Sequence, residues 1–348
     1  MTKLAEPRIT VAMLALVTGC LSLAPAFGQG VNQVEKCLAA GSAPPDTAIR
    51  ECTLAMQPGQ PSDKTSIPAV YLSRADAYVR KADYDRALAD YDEVIKLVPE
   101  TAITFALRGE VFAKRGDYDS AIADYERAIE LEPNLASAFS NRGLAWAAKG
   151  ELRLAVADYT KAIKLDPNLP AAFNNRGLAH AIRGELDSAI ADYTEAIRLD
   201  PKYVNAYDNR GNAYVSTGEH DRAIADFTAA LQVQPTDRAA LSGRCWARSV
   251  AGRLPAALTD CNELLRLQPA DAAGLNMRGF THLKAGQADK AIADFDTVLR
   301  SDPNNAGALY GRGLAKLKKH EQTGHADIAA AKALKPQIEQ DLARYDIR

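Results

Sequence analysis

The chain has 348 residues, of which 47% are hydrophobic and 25% are charged, and its formal net charge at pH 7 is −2. These fractions are typical of a folded, soluble protein, and the near-zero charge gives no indication of nucleic acid or an anionic membrane as a partner. The length allows two or three ordinary domains or one extended array.

The first 28 residues differ in composition from the rest of the chain. Basic residues precede an apolar run at 9–23, and small residues follow it. This order is typical of a secretory signal peptide, and the run is short for a membrane span. We therefore predict a signal peptide at 1–28, cleaved between Ala26 and Gly28. The mature chain is then expected to be periplasmic or secreted and to have no membrane span.

An alternative interpretation of this segment is a lipoprotein signal. The sequence LVTGC at 16–20 resembles a lipoprotein box in which Cys20 would carry the lipid. The apolar character continues beyond Cys20 to Phe27, as in a simple signal peptide, which favours cleavage without lipidation.

Residues 29–67 contain one local cysteine pair and end in a connector rich in Pro, Ser and Gly. A connector of this composition predicts a loop between structured elements. We predict a divergent N-terminal helical hairpin and a linker in this range.

From residue 68 onward, the sequence repeats every 34 residues. Arginine stands at 74, 108, 142, 176, 210, 244, 278 and 312, aspartate at 90, 124, 158, 192, 226, 260 and 294, and proline at 99, 133, 167, 201, 235, 269 and 303. A fixed period of this length indicates an array of one supersecondary unit. Positions are counted below from 1 to 34 within each repeat, with residue 136 as one example of position 1.

Each repeat has the pattern of two helices. In the repeat that begins at 136, Gly150 is expected to end the first helix and Pro167 to stop the second. Positions 8 and 20 are small, whereas position 24 is mostly Tyr or Phe. Small residues let the two helices approach closely, and the bulky residue fills the remaining space. One hairpin cannot bury such a face alone, so the next hairpin must cover it.

This pattern resembles the tetratricopeptide repeat (TPR) family, whose unit is a 34-residue helix-turn-helix. The resemblance extends from Pro68 to about Leu334. It implies an all-α fold, a right-handed superhelical α-solenoid of stacked hairpins whose first helices line a concave groove for partner peptides. The predicted units are TPR 1 at 68–101, TPR 2 at 102–135, TPR 3 at 136–169, TPR 4 at 170–203, TPR 5 at 204–237, TPR 6 at 238–271, TPR 7 at 272–305, a partial TPR 8 at 306–334 and a capping helix at 335–348.

Two positions depart from the commonest pattern of that family. Position 7 is Arg instead of Leu, and position 23 is Asp instead of an aromatic residue. Residues that face each other across an antiparallel hairpin have position numbers with a nearly constant sum, and positions 7 and 23 fit that sum. We therefore predict structural ion pairs within a hairpin or to the adjacent one, namely Arg142 with Asp158, Arg176 with Asp192, and Arg210 with Asp226. The alternative is two solvated columns of charge on an outer face.

The cysteines of the predicted mature chain form two local pairs, Cys37 with Cys52 and Cys245 with Cys261. Cys245 and Cys261 occupy positions 8 and 24, which face each other across the hairpin, and the N-terminal pair fits the same positions in a degraded unit. Because disulfides persist outside the cytosol, we predict one bridge in each pair, worth roughly 3 kcal/mol in the chain-entropy model. The alternative is four free buried thiols.

The sequence contains no motif that predicts catalysis. A Gly-rich phosphate loop, a nucleophile elbow and a metal-binding helix motif are all missing. His180 and His282 occupy position 11, where other repeats have Tyr or Trp, so packing accounts for them. His320 and His325 lie in a polar turn that offers too few ligands for a metal. We predict that the protein is not an enzyme and has no catalytic residue, cofactor or metal.

In the TPR family, positions 2, 5, 9, 12 and 13 of the first helix face the groove. The resemblance therefore implies a peptide-binding groove lined by Leu144, Leu178, Ile182, Asn212, Trp246, Phe280, Leu283, Tyr310 and Leu314. Trp246 and Phe280 are the expected anchors, because aromatic residues in a concave surface are frequent binding hot spots. The alternative for Trp246 is that it covers the neighbouring hairpin.

Together these features predict a non-enzymatic protein–protein interaction scaffold of the bacterial envelope. Its partner would be an extended or helical segment of another protein, held in the groove. The first alternative is a self-assembling array, in which the apolar end of the groove binds a second copy. The second is an enzyme, or a non-catalytic subunit of an envelope enzyme complex, that uses the carboxylate-rich face.

Overall fold

The structure is a computed structural model that describes residues 32–58 and 66–343. The predicted signal peptide, its alternative lipidation site Cys20 and the last five residues of the predicted capping helix lie outside the described residues. Within the described ranges the chain forms nineteen α-helices and no β-strand. The prediction of an all-α fold built from consecutive helical hairpins is confirmed.

From α3 (Ile67–Arg80) onward, the helices follow one another with short turns between them. The first nine are α1 Gln33–Ala39, α2 Pro45–Ala55, α3 Ile67–Arg80, α4 Tyr84–Leu97, α5 Ala102–Lys114, α6 Tyr118–Leu131, α7 Ala136–Ala148, α8 Leu152–Leu165 and α9 Pro170–Ile182. The next ten are α10 Leu186–Leu199, α11 Val204–Thr217, α12 His220–Val233, α13 Arg238–Val250, α14 Leu254–Leu267, α15 Ala272–Lys284, α16 Ala288–Ser301, α17 Ala306–Lys318, α18 Gly324–Leu334 and α19 Ile338–Ala343.

The chain divides into two compact units within α9, one ending at Ala179 and the other beginning at His180. In the N-terminal unit, α1 packs on α2, α3 on α4, α5 on α6 and α7 on α8, and α2 also packs on α3, α4 on α5 and α6 on α7. In the C-terminal unit the same order runs from α10 to α18, and α19 packs on α17 and α18. Among the described residues, no helix combines the length and the apolar character needed to cross a membrane.

A left-handed backbone residue follows the first helix of most hairpins. Glycine takes this conformation at 116, 150, 184, 218, 252 and 286, with φ between 74° and 83°. Glycine has no Cβ to clash there, so it permits the sharp turn into the second helix. Ala82 and His320 stand at the same repeat position and adopt φ of 58° and 62°. His320 therefore lies at a tight turn of the backbone.

Close contact between a glycine and an aromatic ring joins the two helices of the hairpins α5–α6, α7–α8, α11–α12 and α15–α16. Ala155 and Tyr159 are fully buried on α8, and a Cβ added to Gly143 on α7 would lie 2.9 Å from Tyr159 Cε1. In the C-terminal unit, the ring of Phe227 lies against Gly211 of its own hairpin and Gly243 of the next. The aromatic residue at position 24 thus fills space within one hairpin and between two, which explains the small residues facing it.

Candidate functional site

The first helices carry the residues that were expected to line a groove, and five of these side chains reach solvent. Leu144 on α7 belongs to the N-terminal unit and is half-buried. In the C-terminal unit, Ile182 is 64% exposed, Asn212 is exposed, and Trp246 and Leu314 are half-buried. Asn212, Trp246 and Leu314 all occupy position 9, on α11, α13 and α17.

The remaining expected groove residues are buried, which corrects the sequence-based expectation. Phe280, Leu283 and Tyr310 are only 5%, 2% and 3% exposed. Phe280 packs edge-to-face on Phe295 with ring centroids 5.0 Å apart, and Tyr310 belongs to the same apolar core as Ile338 of the terminal helix α19. These three side chains stabilise the interior of the C-terminal unit and offer little surface to a partner.

Leu178 and Trp246 complete the set of expected groove residues. Leu178 is buried in α9. Trp246 packs against the apolar core that contains Phe280 and Leu283, while part of its ring remains exposed. Trp246 therefore both covers the core, as the alternative interpretation stated, and contributes to the surface of the first helices.

The expected ion pairs join the two helices of a hairpin. Arg142 Nε donates to Asp158 Oδ2 at 2.8 Å, and Arg142 Nη2 donates to Asp158 Oδ1 at 2.8 Å. Arg210 and Asp226 have the same two bonds, at 2.8 and 2.7 Å. The aspartates are buried, so these charges are not solvated columns on an outer face. The hydrogen bonds that Arg142 donates to Asp158 raise the pKa of Arg142, and the guanidinium stays charged.

The third expected pair is divided between the two units. Arg176 lies in the N-terminal unit, where its Nη1 donates to Thr160 Oγ1 at 3.1 Å. Asp192 lies in the C-terminal unit, where it is buried and its Oδ2 is 3.9 Å from His180 Nε2.

The third guanidinium nitrogen of these arginines forms a contact that the sequence analysis did not predict. Arg210 Nη1 donates to Thr194 Oγ1 at 2.9 Å, and Arg108 Nη1 donates to Asp92 Oδ1 at 2.6 Å. Both acceptors stand at position 25 of the preceding hairpin. The residue at that position is polar throughout the array, being Asp92, Glu126, Thr160, Thr194, Thr228, Asn262 or Asp296. The polar residue that recurs at position 25 is the sequence feature from which a bond between hairpins could have been predicted.

The two histidines at position 11 have polar partners within their own hairpins. His180 Nδ1 lies 2.5 Å from Glu185 Oε2, and His282 Nδ1 lies 2.8 Å from Gln287 Oε1. Burial lowers the pKa of His282, which favours its neutral form. Within residues 32–58 and 66–343, no group of three or more His, Cys, Asp or Glu side chains is arranged to hold a metal ion.

The four cysteines of the predicted mature chain are fully buried. Cys37 is bonded to Cys52 between α1 and α2, and Cys245 is bonded to Cys261 between α13 and α14. Each bond connects the two helices of one hairpin, at the positions where other hairpins have a glycine and an aromatic ring.

Consecutive hairpins of this kind define the chain as a helical-repeat protein. Family models described as "TPR repeat" match residues 109–150, 145–181 and 180–218, and those described as "Tetratricopeptide repeat" match 68–101, 209–272 and 276–337. The chain belongs to the tetratricopeptide repeat family. No curated protein matches it.

Several solved structures share this fold. A tetratricopeptide repeat protein from Parabacteroides merdae is 22% identical with a TM-score of 0.56, covering 71% of this chain and 99% of its own. The APC/C hetero-tetramer Cut9–Hcn1 is 18% identical with a TM-score of 0.55, covering 91% of this chain and 63% of its own. Pseudomonas aeruginosa pilF is 16% identical with a TM-score of 0.55, covering 61% and 96%. At these identities the similarity concerns the fold.

Proposed function

We propose that the protein is a non-enzymatic scaffold of the bacterial envelope that binds a segment of another protein. The binding surface is the face formed by the first helices α11, α13, α15 and α17 of the C-terminal unit. Membership in the TPR family supports the general role, because proteins of this family bind other proteins.

The partial exposure of Trp246 is the observation that carries this proposal. Trp246 stands on α13. At the same position 9, the preceding hairpin has exposed Asn212 on α11, and the hairpin two repeats later has half-buried Leu314 on α17. A large aromatic side chain that is anchored on a core loses little conformational freedom on binding and presents apolar area to a partner. The surface thus combines a rigid aromatic contact with polar and aliphatic neighbours.

The cysteine bonds support the proposed location. Disulfides persist in the periplasm and outside the cell, whereas cytosolic thiols are kept reduced. Two bonded pairs inside separate hairpins fit an exported chain, in agreement with the signal peptide that the sequence predicts at 1–28.

Photo-crosslinking in the native host tests the proposed surface. A photoreactive phenylalanine analogue is introduced at Asn212, which is exposed on a first helix, and separately at Gln232, which is exposed on the second helix α12. We expect an adduct with a defined envelope protein from position 212 and none from position 232. The double variant Trp246→Ala and Leu314→Ala should lose the adduct while keeping its helical circular dichroism.

Equal adducts from both positions, or an adduct that the double variant retains, would contradict the proposed surface. An adduct between two copies of this chain would replace the proposal by the self-assembling array. Size-exclusion chromatography with light scattering checks that alternative on the purified chain.

A further inference from the structure

Asp208 is a buried carboxyl group on the first helix α11 that lacks a donor. Its side chain is at position 5, it is 7% exposed, and its Oδ1 atom has no hydrogen-bond partner. Asn205 and Asn212, three residues before and four after it, lie on the same face of α11 and are both exposed. Asp208 is therefore at the base of a polar patch within the proposed binding surface.

Position 5 two repeats later is occupied by an asparagine that finds a hydrogen-bond partner within the protein. Asn276, also at position 5, donates from Nδ2 to Asn305 Oδ1 at 3.2 Å. Asn305 caps α17 by accepting a hydrogen bond from the backbone N–H of Ala308 at 3.0 Å. An amide N–H and a capping oxygen are thus paired at this point of repeat 7, whereas Asn276 Oδ1 has no hydrogen-bond partner.

In the repeat of Asp208, both members of this pair are acids. Asp237 is the counterpart of Asn305 and caps α13 by accepting from the backbone N–H of Ala240 at 3.0 Å. Because Asp208 has no N–H group, this pair has two acceptors where repeat 7 has a donor and an acceptor, and the carboxylate of Asp237 acts electrostatically on Asp208. Asp237 is partly exposed, so solvent reaches the pair from that side.

The charges around Asp208 leave it uncompensated. Burial, and after it the carboxylates of Asp237 at the start of α13 and of Asp226 on α12, together raise its pKa to about 7. The nearest arginine along α11, Arg210, is engaged by Asp226 and by Thr194 of α10. A buried acceptor without a donor is costly, so this location favours a group that brings an N–H or a proton.

We propose that Asp208 and Asp237 form an acidic subsite for a cationic N–H donor, the ammonium of a lysine or the guanidinium of an arginine on the bound segment. While the subsite is empty, a proton occupies Asp208 in the molecules that are below its titration midpoint, and the carboxylate is otherwise uncompensated. When the cationic group binds, Asp208 releases this proton to solvent and both carboxylates accept from the ligand. The inference rests on the proposed function, since it gives the binding surface a preference for basic segments.

Carbon NMR of the purified mature chain tests the subsite without a known partner. With aspartate labelled at the carboxyl carbon, the Asp208 signal is assigned by its loss in Asp208→Asn and is followed against pH. The probe is n-butylammonium, and the matched control is tetramethylammonium, which has the same charge but no N–H group. We expect the titration midpoint of Asp208 to fall as butylammonium is added, by about one pH unit at a concentration tenfold above its Kd, and to stay constant with tetramethylammonium.

Two engineered chains test the geometry. Asp208→Asn should fold normally, because asparagine occupies position 5 in the repeats of Asn174 and Asn276, and it should lose the response to butylammonium. The double variant Asn276→Asp and Asn305→Asp should create a second responding carboxyl group in repeat 7.

An Asp208 signal that titrates below pH 5, or one that moves equally with both cations, overturns the subsite. This result is independent of the photo-crosslinking experiment. Loss of the envelope adduct concerns the proposed function, whereas the probe measurement concerns the chemistry of Asp208 alone. A retained adduct together with an unresponsive Asp208 would leave a binding surface that has no preference for basic segments.

Discussion

Arg278 Nη1 donates a hydrogen bond to Asn262 Oδ1 at 2.9 Å, while Nε and Nη2 of the same guanidinium bond to Asp294. Asn262 lies on α14, Arg278 on α15 and Asp294 on α16. One side chain therefore connects three consecutive helices, and the bond to Asn262 is the part that links two hairpins. The leucine that is usual at this position in the family cannot form such a link, because it has no polar group.

Removal of the link between hairpins should cost a moderate amount of stability. Asn262→Leu deletes the acceptor and leaves the bonds between Arg278 and Asp294 in place. We expect the free energy of unfolding to fall by about 1 kcal/mol, the usual contribution of one hydrogen bond. Asn262→Asp is the matched control, because Asp296 already accepts from Arg312 at the equivalent position. Urea titration of both variants checks this, and a leucine variant as stable as the wild type would contradict it.

Loss of one member of a buried ion pair should be worse than loss of both. Asp158→Ala leaves Arg142 without its carboxylate, and we expect a destabilisation of about 3 kcal/mol. The double variant Arg142→Leu and Asp158→Tyr restores the pattern common in the TPR family and removes both charges, so it should be the more stable of the two. Thermal melts followed by circular dichroism rank them, and the reverse order would argue against the pair as a unit.

The disulfide of the sixth repeat stands where its neighbours have a glycine and a phenylalanine ring. Replacing Cys245 and Cys261 by serine should lower the free energy of unfolding by about 3 kcal/mol, because the reduced unfolded chain regains the freedom that the bond removed. The neighbouring hairpins suggest a rescue with Cys245→Gly and Cys261→Phe. Phe227, however, also needs Gly243 of the following hairpin, and the residue equivalent to Gly243 after Cys261 is Met277.

The triple variant Cys245→Gly, Cys261→Phe and Met277→Gly should therefore recover most of the stability that the serine variant loses. The double variant that retains Met277 should recover little, because the methionine side chain occupies the space of the ring. Denaturation in the presence of a reductant separates these outcomes. Equal stability of the double and triple variants would mean that the next hairpin does not restrict the ring.

Asp208 should make the folded chain less stable as the pH rises. Its pKa in the folded state is about 7, whereas an aspartate in an unfolded chain titrates near about 4. The folded state therefore holds the proton more tightly. The contribution of Asp208 to the free energy of unfolding is most favourable below about pH 4 and decreases until the pH passes about 7. Asp208→Asn removes this loss and should exceed the wild type by at least about 1 kcal/mol at pH 8.

The control for this prediction is the same comparison at pH 4, where the two chains should be nearly equally stable. Burial lowers the pKa of His282, which gives an opposite trend at acid pH, but this contribution cancels in the difference between the two chains. A difference that does not change between pH 4 and pH 8 would contradict the assignment of the proton to Asp208.

Some of these features could be predicted from sequence because they depend on positions within one hairpin. The period of 34 residues was sufficient for the fold class, and the facing of positions 7 and 23 was sufficient to place Arg142 beside Asp158. The stagger between hairpins was not available, so the bond from Arg278 to Asn262 was missed. Asp208 was visible as the one acid at position 5, but its pairing with Asp237 also depends on how one hairpin meets the next.

The error at Phe280, Leu283 and Tyr310 has a related cause. In the family pattern these positions face the groove. That pattern describes the direction in which each helix position points and takes no account of the size of its side chain. Large side chains at those positions can fold back onto the core, as Phe280 does on Phe295. Tyr310 shares a core with Ile338, a contact supplied by the terminal helix, whose packing the repeat pattern does not encode.

The contact between an arginine and the preceding hairpin has a consequence for how such an array changes length in evolution. The acceptors Thr160, Thr194 and Thr228 are identical, and each serves the arginine of the next unit. Duplication or excision of one whole unit by recombination would bring an arginine to a threonine of the same kind. The ring at position 24 is more selective, since Phe227 requires a glycine from its successor. The units that carry these threonines can thus replace one another without losing the hydrogen bond between hairpins. Their order is restricted by the size of the side chain that faces the ring at position 24.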